Sequence, residues 1–297
     1  MKYNTLGKTS IKISEIGYGC MSLKNDDATN EQLLNIALDK GINYFDTADI
    51  YQDGLNEITV GKAFRQKRKQ VVIATKAGNV RRADGGLDWN PSKQHILAAA
   101  EKSLERLQTD YIDLYQLHGG TIDDDIDETI EAFELLKVQG KILAYGISSI
   151  RPNVIKEYVK RSNISSVMMQ YSLLVRRPEE SCLQLLQDNK ISVLARGGVA
   201  QGLLTGKPAQ PYLDYTAQQV KVAADAINHV AGKRKTTVQV ALQYVLQHPA
   251  VNSAVVGMRT TEQLQDALSV DKAVPLTSKE VQYLQQSLPV NFYTQHR

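Results

Sequence analysis

Two rhythms of apolar and polar positions take turns along this 297-residue chain. Short apolar or β-branched runs, each closed by a polar residue or a glycine, are separated by stretches in which apolar residues return every three or four positions. The short runs end near Cys20, Asp46, Lys76, His118, Ser148, Gln170, Ala195 and Val256 and predict eight strands. Between them, Thr29 with Gln32 three residues on has the form of a capping box, Leu33, Leu34, Ala37 and Leu38 make an apolar stripe, and Gly41 fits the position after the helix end. Asn90 and Pro91 predict the start of another helix, with Ile96, Ala99, Ala100, Ser103, Leu104 and Leu107 on one side. A third carries Ile130, Phe133, Leu136 and Lys137 before Gly140. Alternating strands and helices imply an α/β fold with a parallel sheet, and eight such units without a second compositional regime favour closure into a (β/α)8 TIM barrel, one domain over residues 1–297, over an open sheet. Weak alternation over residues 3–13 predicts an N-terminal β-hairpin covering the bottom of the barrel. The segment from Gly197 to Thr216 reads as a long loop after the seventh strand, and long loops in compact folds are usually functional.

Composition narrows the partners. With 35 Lys+Arg against 32 Asp+Glu, a net charge of +3 and 42% hydrophobic residues, the chain has the make-up of a globular protein, which excludes disorder and leaves no electrostatic case for a nucleic-acid partner. The run Arg65-Gln66-Lys67-Arg68-Lys69 reads as a solvated helix end. Cys20 and Cys182 are too few for a disulfide framework, the first residues lack the apolar stretch of a signal peptide, and nowhere do about 18 apolar residues run together. The expectation is a cytoplasmic protein with no membrane partner. No heptad seam or apolar stripe fixes an oligomeric state.

In a barrel of this kind the site lies where the C-terminal strand ends meet their following loops. Asp46, Lys76 and His118 close three predicted strands, and Tyr51 lies five residues past Asp46. Singly, each has an ordinary structural use as a cap, a solvated strand end, a core histidine or a packing ring. Jointly, an acid, an amine, a phenol and an imidazole on neighbouring strands can form one proton-transfer unit, with Asp46 holding Lys76 and the lysine cation lowering the phenol's reference pKa of about 10.

At this point the sequence resembles the aldo-keto reductases. Gly41-Ile42-Asn43-Tyr44-Phe45-Asp46-Thr47-Ala48-Asp49-Ile50-Tyr51, followed by Gly54-Leu55-Asn56-Glu57, is similar to that family's first signature, and Thr75-Lys76, Leu114 to His118, Gly146 to Ser149, Gln170-Tyr171-Ser172, Gly202 to Gly206 and Ala241 to Gly257 come after it in order. The resemblance implies an NADPH-dependent oxidoreductase that reduces aldehyde or ketone carbonyls of a small-molecule substrate. It makes Tyr51 the general acid, Lys76 its tuner, Asp46 the orienter of Lys76, and His118 the group that positions the carbonyl oxygen. It also implies that Ser148 and Gln170 meet the nicotinamide amide, with Ser149 where the family often has asparagine. Arg196 stands where an aromatic residue commonly stacks on the nicotinamide, and its guanidinium plane could take that place. Gly257-Met258-Arg259-Thr260-Thr261-Glu262-Gln263 resembles the phosphate loop, a strand end running into a helix N-terminus. By the same resemblance Arg259 is the partner for a 2′-phosphate, Gln263 sits where some members carry arginine, Asp266-Ala267 replaces the more usual Glu-Asn, Gly202 and Leu203 meet the pyrophosphate, and Gly19 lies close to the cofactor. No G-x-G-x-x-G after a strand indicates a Rossmann domain, and no histidine has metal-ligand spacing. Trp89, the only tryptophan, is expected in a loop over the barrel mouth. Two other readings stand beside the reductase: a cofactor-binding regulatory or sensing protein with slow turnover, and a barrel aldolase using Lys76 as a Schiff base.

Overall fold

The computed structural model describes residues 1–24 and 26–297. It opens with an antiparallel hairpin, β1 (Tyr3–Thr5) and β2 (Lys12–Ser14). The barrel begins with β3 (Ile16–Gly19), α1 (Asp27–Asp39), β4 (Tyr44–Asp46), α2 (Leu55–Phe64) and β5 (Val72–Ala77). A second antiparallel hairpin, β6 (Asn79–Arg81) and β7 (Leu87–Trp89), interrupts the alternation before α3 (Lys93–Leu107). Next come β8 (Ile112–Leu117), α4 (Ile126–Val138), β9 (Ile142–Ser148), α5 (Pro152–Arg161), β10 (Ser166–Gln170), α6 (Cys182–Asp188) and β11 (Ser192–Arg196). Two helices, α7 (Ala217–Ala231) and α8 (Thr237–Leu246), precede β12 (Val251–Val256), and α9 (Thr261–Leu268) and α10 (Ser278–Gln286) complete the chain. Eight parallel strands close into a barrel in the order β3-β4-β5-β8-β9-β10-β11-β12. The alternation of strands and helices and the N-terminal hairpin are those the apolar pattern predicts, closure into a (β/α)8 barrel is what the family resemblance implies, and each strand ends within one residue of its expected position.

Strand alternation sorts the side chains into two cores. Phe45, Ile73, Tyr115 and Ile147 point outward and pack with the helices, Phe45 against Phe64 with ring centroids 4.4 Å apart and Tyr115 against Phe133 at 5.6 Å. Tyr44, Val72, Ala74, Leu114, Ala144, Met168, Leu194 and Val255 form a separate cluster that fills the barrel interior. β3 offers glycine there, because a Cβ on Gly17 would lie 2.5 Å from the Tyr44 ring. Leu6 and Ile13, both fully buried, complete this inner cluster from below. The Gly7 amide donates to Ser192 Oγ at 2.7 Å and Asn4 Nδ2 donates to the Asn252 carbonyl at 2.8 Å, fixing the hairpin to the starts of β11 and β12.

Two helix starts differ from expectation. α1 is capped by Asp26, whose side chain accepts from the Thr29 amide at 3.2 Å and the Thr29 hydroxyl at 2.6 Å, so Thr29 lies inside the helix. The carboxylate is the better acceptor for the first-turn amides. α3 is capped by Ser92, not Asn90; Asn90 Oδ1 accepts from the Ser92 amide at 3.1 Å and holds the turn that precedes the helix. Trp89 is the last residue of β7 rather than part of an irregular loop. The β6–β7 hairpin is invisible to the periodicity because its strands are three residues long and none of their residues is buried.

The bottom closure makes a stability prediction. Gly7 has φ +54°, and a Cβ there would sit 2.4 Å from the Ser165 carbonyl oxygen, a backbone atom. Gly7→Ala should lower the unfolding free energy by about 2–3 kcal/mol through left-handed strain and overpacking, read from the midpoint of a urea titration.

Candidate active site

The same alternation that fills the barrel also builds its rim. Two residues above inner-core positions, and facing inward with them, stand Asp46 above Tyr44, Lys76 above Ala74, Gln116 above Leu114, Gln170 above Met168, Arg196 above Leu194 and Gly257 above Val255. His118 and Ser148 lie one further step up, above Gln116 and Gly146. Apolar below and polar above, this periodicity gathers the candidate residues of separate segments at one mouth.

Lys76 is 0% exposed. Its Nζ donates to Asp46 Oδ1 at 2.6 Å and to the Thr47 carbonyl at 2.7 Å, and Gln116 Nε2 donates to the other Asp46 oxygen at 3.4 Å. Burial acts to lower the Lys76 pKa, but attraction to Asp46 and to Tyr51, with hydrogen bonds to both, outweighs it and raises the ammonium above its usual value. Burial pushes the Asp46 carboxyl up against the pull of Lys76 and Gln116, and the 2.6 Å contact holds the two as an ion pair, since an unpaired charge at this depth costs several kcal/mol.

Tyr51 sits over this pair, with Lys76 Nζ 5.1 Å from its ring centroid. The turn that carries it holds three consecutive left-handed residues, Gln52 at φ 50°, Asp53 at φ 54° and Gly54 at φ 89°. Such a turn persists only when its surroundings over-determine it. Here Asn56 does so, accepting from the Thr47 hydroxyl at 2.6 Å and donating to the Cys20 carbonyl at 2.9 Å, while Glu57, fully buried, joins Thr75 Oγ1 at 2.5 Å to Arg106 at 2.6 Å. The run from Gly54 to Glu57 is thus the scaffold of the Tyr51 turn. His118 meets Tyr51 edge-on, centroids 5.8 Å apart at 81°.

The electrostatics differ from the expectation in one respect. Burial raises the Tyr51 pKa, and the opposing pull of Lys76 does not bring it below the ordinary tyrosine value. The phenol is therefore protonated at neutral pH, with a cation beside it ready to stabilise the anion. His118 is pushed down to about 3 by burial and by the positive charges of Lys76 and Arg196, so its imidazole is neutral, with Nδ1 buried and without a partner. One cationic and two uncharged proton carriers share the mouth, an arrangement able to give a proton to an oxygen on which negative charge grows.

The residues expected to hold a cofactor fall into three groups. Ser148 and Gln170 are half-buried at the rim, Gln170 donating to the Tyr212 hydroxyl at 2.6 Å, and Arg196 is exposed with its charge felt at Asp46, Tyr51 and His118. Gly19 and Gly257 abut where β3 and β12 end, a Cβ on Gly19 falling 3.5 Å from the Gly257 amide nitrogen. Exposed Arg259 enters α9, which is capped by Thr260; Gln263 Oε1 accepts from the Arg259 amide at 2.8 Å, so this side chain closes the helix entrance. Gly202 and Leu203 stand apart: their amides donate to Val199 at 2.9 Å and Ala200 at 3.0 Å inside a tight turn, and the Leu203 side chain is buried. Among the described residues no cluster of three His, Cys, Asp or Glu could hold a metal ion.

Sequence reasoning gives no role to Gln116, although period two from His118 puts it on the inner face. It also passes over Asp49, whose carboxyl is pushed up to about 7 by burial and the nearby Glu57 charge, and whose Oδ1 lies buried without a partner. Beside His118 opens a cleft of about 390 Å³, bordered by Asn79, Trp89, Gly119, Thr121 and Arg151. Trp89 forms its wall by covering Gly78 and Gly119, held by a 2.9 Å bond from its Nε1 to Asp124.

This rim on a closed eight-stranded barrel is the architecture of the aldo/keto reductase family, whose description matches residues 15–289, and the chain belongs to that family. It is 50% identical to the "Uncharacterized oxidoreductase YqkF" of Bacillus subtilis, over the whole of both chains. It is 34% identical to the "NADH-specific methylglyoxal reductase" of Escherichia coli, over 75% of this chain and 74% of that one. The solved structure of the holo form of aldo-keto reductase AKR11C1 from Bacillus halodurans superposes with a TM-score of 0.94 at 49% identity, covering 100% of this chain and 99% of that one. The protein is an oxidoreductase of a class that works with a nicotinamide cofactor. No helix among the described residues is long and apolar enough to cross a membrane.

The buried charges set two expected outcomes. Lys76→Met should destabilise the fold by about 3–5 kcal/mol, because Asp46 would be left buried and unpaired, and adding Asp46→Leu should recover much of that loss; denaturation of the single and double variants compares them. His118 is neutral in the fold and binds a proton once unfolded, so it contributes stability that is complete above its unfolded value of 6.5 and is lost as the pH falls toward 3. Asp49, raised to about 7, acts with the opposite sign between 3.8 and 7. The difference between wild type and His118→Asn therefore isolates the histidine, and the wild type's advantage should shrink by up to about 1.4 kcal/mol per pH unit on acidification.

Proposed function

We propose that this protein is an NADPH-dependent reductase of aldehyde or ketone carbonyls, with Tyr51 as the proton donor. The observation that carries the reading is the protonated Tyr51 phenol beside a buried Lys76 ammonium and a neutral His118. When bound, the nicotinamide cofactor supplies the hydride equivalent that reaches the carbonyl carbon. As negative charge grows on the carbonyl oxygen, His118 donates one hydrogen bond to it and Tyr51 Oη gives up its proton to it. The resulting phenolate lies next to Lys76, whose charge favours it, and Asp46 keeps that lysine protonated and in place. These donors are arranged beforehand, so they favour the transition state over the ground state.

For the cofactor, Ser148, Gln170 and the Arg196 guanidinium are assigned to the nicotinamide end. Gly19, Gly257, Arg259 and Gln263 are assigned to the adenosine end. Arg259 favours NADPH because its guanidinium is exposed at a helix entrance, where a 2′-phosphate can be met by two N–H groups; the named specificity of the Escherichia coli relative makes this the point to test. Gly202 and Leu203 are assigned to the pyrophosphate, an assignment that requires their amides to leave the turn they now close. We assign the protein to the cytoplasm and read the chain as one domain.

Tyr51→Phe should bind NADPH as the wild type does, yet reduce a simple aldehyde about 10² to 10⁴-fold more slowly, as followed by cofactor absorbance under single-turnover conditions. Undiminished turnover would overturn the assignment. Quenching of Trp89 fluorescence should report tight NADPH binding and weak NADH binding, and Arg259→Gln should shrink that preference by about tenfold or more.

A further inference from the structure

Resting on the reductase reading above, we infer that the substrates this site prefers are carbonyl compounds bearing an anionic group, and that Arg151 is the residue that selects them. The cleft beside His118 is bordered by two guanidiniums, Arg151 and Arg196, and by no carboxylate. Asp124, near Gly120, is engaged by the Trp89 indole, the Thr121 amide at 2.7 Å and the Thr121 hydroxyl at 2.6 Å. Arg196 belongs to the nicotinamide end in the reading above, which leaves Arg151 as the cation on the substrate side. It stands at the mouth of α5, and its guanidinium donates to the Gly120 carbonyl. No carboxylate pairs with it among the described ion pairs. That single bond to a backbone oxygen orients the planar group and leaves its other N–H groups for a ligand. Trp89 lines the cleft as well, a ring that fits the apolar stem joining a carbonyl to its charge. The reaction itself is unchanged: the hydride goes to the carbonyl carbon, the proton from Tyr51 goes to its oxygen, and the anionic group keeps its charge throughout.

The test uses an isosteric pair of probes, 4-carboxybenzaldehyde and its neutral amide, 4-carbamoylbenzaldehyde, with the purified full chain and saturating NADPH. In the wild type the ratio of kcat/KM for acid over amide should be about tenfold or more and should fall as salt screens the pair. Arg151→Gln keeps a donor for the Gly120 carbonyl but removes the charge, and should bring the ratio to near one by raising KM for the acid. Arg151→Lys keeps the charge and should retain most of the ratio. A wild-type ratio near one with brisk turnover of both probes would overturn the inference while leaving the reductase reading intact. A high ratio that survives in Arg151→Gln would move the selectivity to Arg196 and overturn the assignment to Arg151. Failure to reduce either probe, or any simple aldehyde, with NADPH bound would instead count against the reductase reading, and the inference would fall with it.

Discussion

A lysine ammonium with no exposure to solvent is the constraint around which this barrel is arranged. Three groups make its burial tolerable: the Asp46 carboxylate at 2.6 Å, the Thr47 carbonyl at 2.7 Å, and Gln116, which supports the carboxylate from the far side. They come from β4, the turn after it and β8, on either side of the strand that carries Lys76. The barrel's inner cross-section has room for these polar groups only because the layer beneath them is apolar and filled, by Tyr44, Ala74 and Leu114 among others. Closing the sheet thus holds the charge in place, and burial keeps Tyr51 protonated and, with the charges of Lys76 and Arg196, keeps His118 neutral. A neutral imidazole beside an ammonium avoids a second buried positive charge next to the first.

How much of this is legible in the sequence depends on the scale at which each feature is encoded. The eight strand ends are readable because an apolar run closed by a polar residue is a local pattern, and because period two ties a rim residue to the core residue below it. The helix starts at Asp26 and Ser92 are displaced by up to three residues from their expected places, since Asp26, Thr29, Asn90 and Ser92 are all good caps and three-dimensional packing chooses among them. The β6–β7 hairpin leaves no periodic trace, because three-residue strands at the mouth face solvent or a ring rather than a core. The sign of the Tyr51 shift requires knowing how deeply the phenol lies. A neighbouring lysine can be argued from spacing, but desolvation is a property of the whole assembly.

The family signature acquires physical content from the same geometry. Between Asp46 and Tyr51 the chain must leave a strand, pass a lysine and present a phenol above it, and it does so through a turn with three left-handed residues, only one of them glycine. Strain of that kind is held by the first residues of α2: Asn56 bridges two backbone segments, and Glu57 fastens the helix to β5 and α3 through Thr75 and Arg106. Residues that give no group to the chemistry are those that keep Tyr51 within reach of it.

The plug beneath the barrel has a consequence for how the chain comes to be folded. Asn4 meets the Asn252 carbonyl across 248 positions, and Gly7 meets Ser192 across 185. Contacts of such separation can form only after the intervening chain exists and has been brought to order, so loop-closure entropy places them late. On a translating ribosome, Leu6 and Ile13 emerge before the barrel strands and are among the last to find their neighbours, exposed until the seventh and eighth strands arrive. The hairpin's short, alternating strands, with Lys8 and Lys12 about its tip, are suited to that interval: they keep an early apolar pair in a solvated setting, and the last strands to be made then have a template on which to close.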